Sequence, residues 1–451
     1  MTDTHHALVA IRGRFLDVAA VCDNASLIEE NIRHHEDGLL LIKEGRIEWF
    51  GDWNKGQEII PANCLLHHHH RDKLIVPGFV DTHLHFPQAE IVGSYGEQLL
   101  QWLENHAFPA EKQFHDAAHA TEMADFFIDQ LLRNGTTTAS VFCSVHPRSV
   151  VALFEAAEQI NMRVIAGKVM MDRNAPQELL DSPKSSYCES KALIEKYHKR
   201  GRLLYAITPR FAPTSTPEQL EMAGKLKQEF PDAYIQTHLS ENLEEIEWVK
   251  KLFPEQDNYF DVYHHHGLTG PRSIFAHCVH LEAQEWDRLH ETDSAISFCP
   301  TSNLFLGSGL FDMQKAREKK IRIGMATDIG GGTTYSMLQT LSEAYKVMQL
   351  QGQRFTPWDA FYLATLGGAR ALSLDHLIGN FDTGKEADFV VLDPQATPLQ
   401  TRQFKRAENS ADLLFSLIVL GDERSISHTY VDGCLVHERP VKEKTFRRSC
   451  E

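Results

Sequence analysis

The chain has 451 residues, of which 42% are hydrophobic and 24% charged, a composition that suits a globular protein with one barrel-sized core and a smaller appended layer. No stretch approaches the apolar length of a membrane span, and 45 Lys and Arg against 62 Asp and Glu leave a formal charge of -17 that repels phosphate backbones, so neither a membrane nor a nucleic acid is an expected partner. The eight cysteines are scattered without a C-x-x-C pair, which excludes a zinc ribbon and a disulfide framework, and the opening MTDTHHALVAIRGRF lacks the features of a secretory signal, so the cytoplasm is the expected compartment.

In chain order, ALVAIRGRFLDV and DGLLLIKEGRIEWFG read as short strands, and the run His67 to His70 reads as a solvated loop. From Leu74 to about Leu374 short apolar runs alternate with longer amphipathic stretches, the pattern of parallel strands joined by crossover helices. The strand candidates are Leu74 to Asp81, Thr136 to Cys143, Arg163 to Met171, Leu203 to Ile207, Tyr234 to Thr237, Ser273 to Ala276, Ala295 to Phe298 and Ile321 to Ala326. Eight such units make a (β/α)8 TIM-type barrel. Between them, Ala117 to Arg133 is a helix stopped by Asn134 and Gly135, and Thr216, Pro217 and Glu218 open another that runs to Phe230. ADFVVLD and SISHTYVDGCLVHE return to strand patterning. Neither flank can bury a core alone, so the two are expected to join as one small β-sandwich, with residues 1–73 and 379–451 flanking a barrel of residues 74–378.

Barrel chemistry gathers at the C-terminal ends of the strands. The first strand runs into PGFVDTHLHFPQ, where His83 and His85 stand two residues apart and face one side of an extended chain, as two ligands of one metal require. An isolated H-x-H also arises by chance. QTHLSEN adds His238 and, three residues on, Glu241; FAHCVH adds His277; GMATDIGGG adds Asp328 before a glycine run that lets backbone approach closely. A single histidine in a strand is usually a satisfied core residue, but polar residues at the ends of several strands together point to a metal site.

These motifs, with TPRFAPT, FCPTSN and IGNFDTGKEADFVVLD in the same order, resemble the amidohydrolase superfamily over essentially the whole chain. Phe86, Pro87 and Gln88 with Arg210 and Phe211 resemble more narrowly its guanine-deaminating members. The resemblance implies hydrolysis of guanine to xanthine and ammonia, a step of purine catabolism, by a homodimer carrying one zinc per chain on His83, His85, His238 and Asp328. It implies catalytic roles for Glu241 as proton shuttle, His277 as hydrogen-bond partner of the attacking water, and Asp328 as its orienting carboxylate. It places His85, Phe86, Pro87, Gln88, Arg210, Phe211, His238, Leu239, Ser240, Glu241 and Asp328 around the substrate. Arg and Gln offer donors to carbonyl and ring-nitrogen acceptors, and Phe211 can cover a ring face. Taken alone, Phe211 reads as a core aromatic and Gln88 and Arg210 as ordinary polar residues.

Rival chemistries leave marks that this chain lacks. A cysteine-ligated deaminase needs P-C-x-x-C, which is absent. A binuclear amidohydrolase, by its family pattern, carries a lysine at the end of the fourth strand, where this chain has Arg210. A metal-free relative would have lost ligands that are all present here. The alternative that stays open is a sibling deaminase acting on a related heterocycle.

Overall fold

The computed structural model describes residues 8–22, 25–61, 64–68, 72–95 and 98–440. Gly78 divides the chain's first long apolar run between two sheets. Leu74–Pro77 pairs antiparallel with Phe389–Leu392 of the C-terminal flank, whereas Phe79–His85 pairs parallel with Thr136–Phe142. The stretch Leu74 to Asp81, expected as one barrel strand, is therefore two strands, and the barrel begins at Phe79 instead of Leu74. A side chain at the crossing has no room, since a β-carbon on Gly78 would lie 2.0 Å from Thr137 Oγ1.

From Phe79 the barrel strands follow in chain order as Thr136–Phe142, Arg163–Gly167, Leu203–Pro209, Tyr234–Leu239, Ser273–His277, Ala295–Phe298 and Arg322–Met325, each parallel to its neighbour. The strands are buried almost throughout, because helices cover their outer faces and side chains fill the interior. First and last strands meet through side chains: Thr82 Oγ1 donates to the Met325 carbonyl at 3.1 Å, and the Thr327 amide donates to Asp81 Oδ1 at 3.1 Å. The helix Ala117–Arg133 starts on Asp116, whose carboxylate accepts from the Ala118 amide at 2.7 Å, and ends before Gly135 at φ 78°. Thr216 caps Pro217–Glu229 in the same way.

The two flanks are hydrogen-bonded into one mixed sheet, in the order Cys434–Glu438, Ile426–Val431, Phe389–Leu392, Leu74–Pro77, Val9–Val18, Ile32–Lys43 and Arg46–Asp52. Its own core gathers Ile11, Phe15, Leu40, Ile42, Phe381 and Phe389, with the Phe389 and Tyr430 rings stacked at 4.2 Å. Leu65–His68 lies parallel to Val9–Val18, so His67 and His68 belong to a strand and not to the expected loop. His69 and His70 lie outside the described residues, as does the basic tail after residue 440. Among the described residues no helix is long and apolar enough to cross a membrane.

Candidate active site

Strand alternation turns His83 and His85 into the barrel mouth, where they meet His238 from the fifth strand and Asp328 from the loop after the eighth. His85 Nε2 lies 3.1 Å from His238 Nε2, while His83 Nε2 and His85 Nε2 lie 3.2 and 3.5 Å from Asp328 Oδ1. His238 Nδ1 donates to the Arg210 carbonyl at 2.6 Å, which leaves the Nε2 lone pair aimed into the cluster. His83 Nε2 is buried and, although close to Asp328, makes no hydrogen bond. Two nitrogens bound to one tetrahedral zinc at about 2.0–2.1 Å stand about 3.3 Å apart, so the imidazole pair is spaced for a shared ion. Burial, helped by the neighbouring imidazoles, pushes His85 and His238 well below the usual histidine range and keeps them neutral, as ligation requires. The donor set fits a metal ion. Cys299 also approaches His83, His277 and Asp328, and burial pushes its thiol well up.

Beside this cluster the charges are set unevenly. Burial works to raise the Asp328 carboxyl, yet the imidazoles of His83 and His277 outweigh it and hold it at about 2. Burial lifts Glu241 to about 7, against the opposing pull of His277. Glu241 Oε1 accepts from Ser308 Oγ at 3.0 Å, and its Oε2 lies 3.4 Å from His277 Nε2. Burial acts to lower His277, but Glu241 and Asp328 prevail and raise it, and its Nδ1 is held by Asn303 Oδ1 at 2.9 Å. Two carboxyl groups pushed apart in this way supply one fixed base and one group able to gain and lose a proton near neutrality. The backbone is strained at the same place: Ser240, His277, Cys278 and Asp328 all adopt left-handed φ between 50° and 69°.

The cluster forms the floor of a cavity at the barrel mouth. Gln88, Arg210 and Phe211 line it together with His85, His238, Glu241, His277 and Asp328. Four expected side chains do not reach its wall. Phe86 points away, its ring packed against Phe114 and Phe127 at 4.9 and 5.4 Å, and Pro87 is buried in the turn that follows it. Leu239 alternates away from His238 into the main core, and the Ser240 carbonyl is occupied by the amides of Val279 and His280. Leu99, Trp102, Leu103 and Leu306 complete the wall as part of a separate apolar cluster with Phe211. Trp102 and its neighbours were not singled out in the sequence. They belong to residues 86–116, a connection far longer than the roughly 2–6 residues usual between strand and helix, and that length was the available signal.

A family model described as the amidohydrolase family matches residues 74–436. The chain belongs to the amidohydrolase family. Within the family, this amidohydrolase is 62% identical over 97% of its length to a guanine deaminase of Escherichia coli that it covers completely. The solved E. coli guanine deaminase superposes with a TM-score of 0.94 at 61% identity, over 96% of this chain and 100% of that one. The solved guanine deaminase from C. acetobutylicum with bound guanine in the active site superposes with a TM-score of 0.85 at 28% identity, over 95% of this amidohydrolase and 100% of that chain.

Proposed function

We propose that this amidohydrolase converts guanine to xanthine and ammonia with one zinc ion per chain, held by His83, His85, His238 and Asp328. The observation that carries the reading is the cavity itself, with a cluster of metal donors on its floor and the hydrogen-bond donors of Gln88 and Arg210 on its wall. Guanine offers a C6 carbonyl and ring nitrogens as acceptors, and the relatives at high identity act on the same ring. When bound, zinc supplies the Lewis acidity that makes a water molecule nucleophilic near neutral pH.

The protein's own groups do the rest. Gln88 and Arg210 donate to the ring, and Phe211 covers one face, so that C2 rests over the cluster. Asp328, ionised throughout the physiological range, orients the attacking water. Glu241 takes one proton from that water and passes it to N3, then takes the remaining proton from the oxygen added at C2, as that oxygen becomes the product carbonyl, and gives it to the departing amine. Water oxygen bonds to C2, the C2–N bond breaks, and its electron pair leaves with ammonia. His277 donates from Nε2 to the oxygen as negative charge develops there. General acid and base help of this kind contributes about 10²–10⁴-fold. The motif resemblance also supports a homodimer as the working form.

The test is ammonia release by purified, metal-assayed protein offered guanine, adenine, cytosine and S-adenosylhomocysteine side by side. Guanine should be used far faster than adenine, with about one zinc per chain and activity lost on chelation and regained with zinc. Comparable rates on both purines would refute the substrate, and two tightly held metals per chain would refute the mononuclear centre.

A further inference from the structure

Arg210 and Gln88 do not stand free in the cavity wall. Both are tied to Glu111, a carboxylate with 1% exposure on the short helix Phe108–Lys112. Arg210 Nη1 donates to Glu111 Oε1 and Oε2 at 2.7 and 2.6 Å, and Gln88 Nε2 donates to Oε1 at 2.9 Å. The Gly330 amide donates to Gln88 Oε1 at 3.3 Å, which fixes the amide so that its nitrogen, not its oxygen, faces Glu111. The guanidinium lies 5.4 Å from the Phe108 ring centroid, so the helix that carries Glu111 also packs the group it binds. Among the described residues nothing accepts from the remaining N–H groups of Arg210 or from the second N–H of Gln88. One carboxylate therefore aims two donors from two different barrel loops, and it also cancels the charge of one of them.

We propose that Glu111 is a positioning residue that holds Gln88 and Arg210 as a neutral wall of donors, so that the cavity takes an uncharged oxopurine in preference to an anionic one. The inference rests on the oxopurine reading given above. An unpaired guanidinium in so buried a wall would draw anions strongly, because charges interact more strongly when water is excluded. With Glu111 in place, the wall offers direction without net charge. Guanine is a neutral ring rich in acceptors and fits such a wall. Shortening the carboxylate should disturb the aim of the donors while keeping the neutrality; removing its charge should do the reverse.

The experiment compares zinc-loaded wild type with Glu111→Asp, Glu111→Gln and the double variant Glu111→Gln, Arg210→Met. Binding of hypoxanthine, neutral and without an amine to lose, and of urate, a monoanion at neutral pH, is measured by calorimetry. Wild type should bind hypoxanthine more tightly than urate. Glu111→Gln should shift the ratio of the two Kd values toward urate by about tenfold or more, the scale of one charge-assisted pairing, and the double variant should abolish that shift. Glu111→Asp should weaken hypoxanthine while keeping the wild-type order of preference. An unchanged ratio in Glu111→Gln, or a urate gain that persists in the double variant, would overturn the proposal. If Glu111→Gln does not fold, Glu111→Asp decides alone, since an unchanged hypoxanthine Kd rules out positioning. A wild type that binds neither ring also overturns it. Because no turnover is needed, a wild type that binds hypoxanthine but releases no ammonia from guanine would refute the substrate and leave the Glu111 result standing.

Discussion

Glu241 and Asp328 are both buried carboxyl groups within reach of His277, yet one titrates near neutrality, at about 7, and the other far below it, at about 2. Burial raises both. What separates them is company, since the imidazoles of His83 and His277 pull Asp328 down, whereas Glu241 has the opposing help of His277 and the Ser308 hydroxyl but also faces the like charges of Asp328 and Glu245. Glu241→Gln removes the proton carrier and keeps its shape and the metal donors. It should retain the zinc and bind guanine, and lose at least about 10²-fold in kcat. Wild-type turnover in that variant would remove Glu241 from the mechanism. Arg210→Met should raise KM for guanine well above the wild-type value with zinc content unchanged, since leaving acceptors of a bound ring without donors costs on the order of 1–3 kcal/mol. An unaltered guanine kcat/KM would mean that the wall is read wrongly even though the metal cluster is right.

At the scale of elements, Glu241 is held by the start of the helix Leu243–Leu252. Asn242 caps that helix by accepting from the Glu244 amide at 2.9 Å, and Glu245 answers by accepting from the amides of Glu241 and Asn242 at 3.0 and 3.1 Å. Tyr259 then donates to the other Glu245 oxygen at 2.7 Å, so the shuttle's backbone is anchored to a second helix. Asn242→Ala should lower stability by about 0.5–2 kcal/mol, read from the urea midpoint at constant m. It should also lower kcat, because the cap and the shuttle share one turn of backbone; loss of stability with full activity would separate them. The same elements explain what could be read in advance. His83 and His85 were legible because strand alternation makes a two-residue spacing meaningful, and the strand ends at His238, His277 and Asp328 were legible because apolar runs stop abruptly there. Phe86 and Leu239 share those motifs but turn away, which follows from packing partners far along the chain. Glu111 was illegible, since it sits in an irregular connection and acquires its role only by meeting Arg210, a distant residue in sequence. The split at Gly78 was hidden in one apolar run whose two halves find hydrogen-bond partners in different sheets.

On the scale of the whole molecule, the barrel separates chemistry from assembly. The metal cluster lies at the C-terminal ends of the strands, while the opposite ends of the third and fourth strands carry Arg163 and Arg202 into the sheet built from the chain's two flanks. Arg163 Nε donates to Glu386 Oε2 at 2.8 Å, Arg202 Nη2 lies 2.6 Å from the same oxygen, and Arg202 Nη1 donates to Asp388 Oδ1 at 3.0 Å. All four side chains are buried. The Gly78 amide donates to the Asp388 carbonyl at 3.0 Å, so the point where the chain leaves the sheet for the barrel is bound to the same segment. Residues on this face of a barrel serve stability and not catalysis. Buried ion pairs add little compared with apolar packing, but breaking one leaves an uncompensated charge and costs about 3–5 kcal/mol. Glu386→Gln leaves Arg163 without its carboxylate and Arg202 with Asp388 alone, and should therefore lower the urea midpoint sharply while leaving kcat and KM for guanine at their wild-type values wherever the variant is folded. A parallel fall in kcat under those conditions would show that the two ends of the barrel are coupled, and an unchanged midpoint would show that the appended sheet holds to the barrel without this cluster.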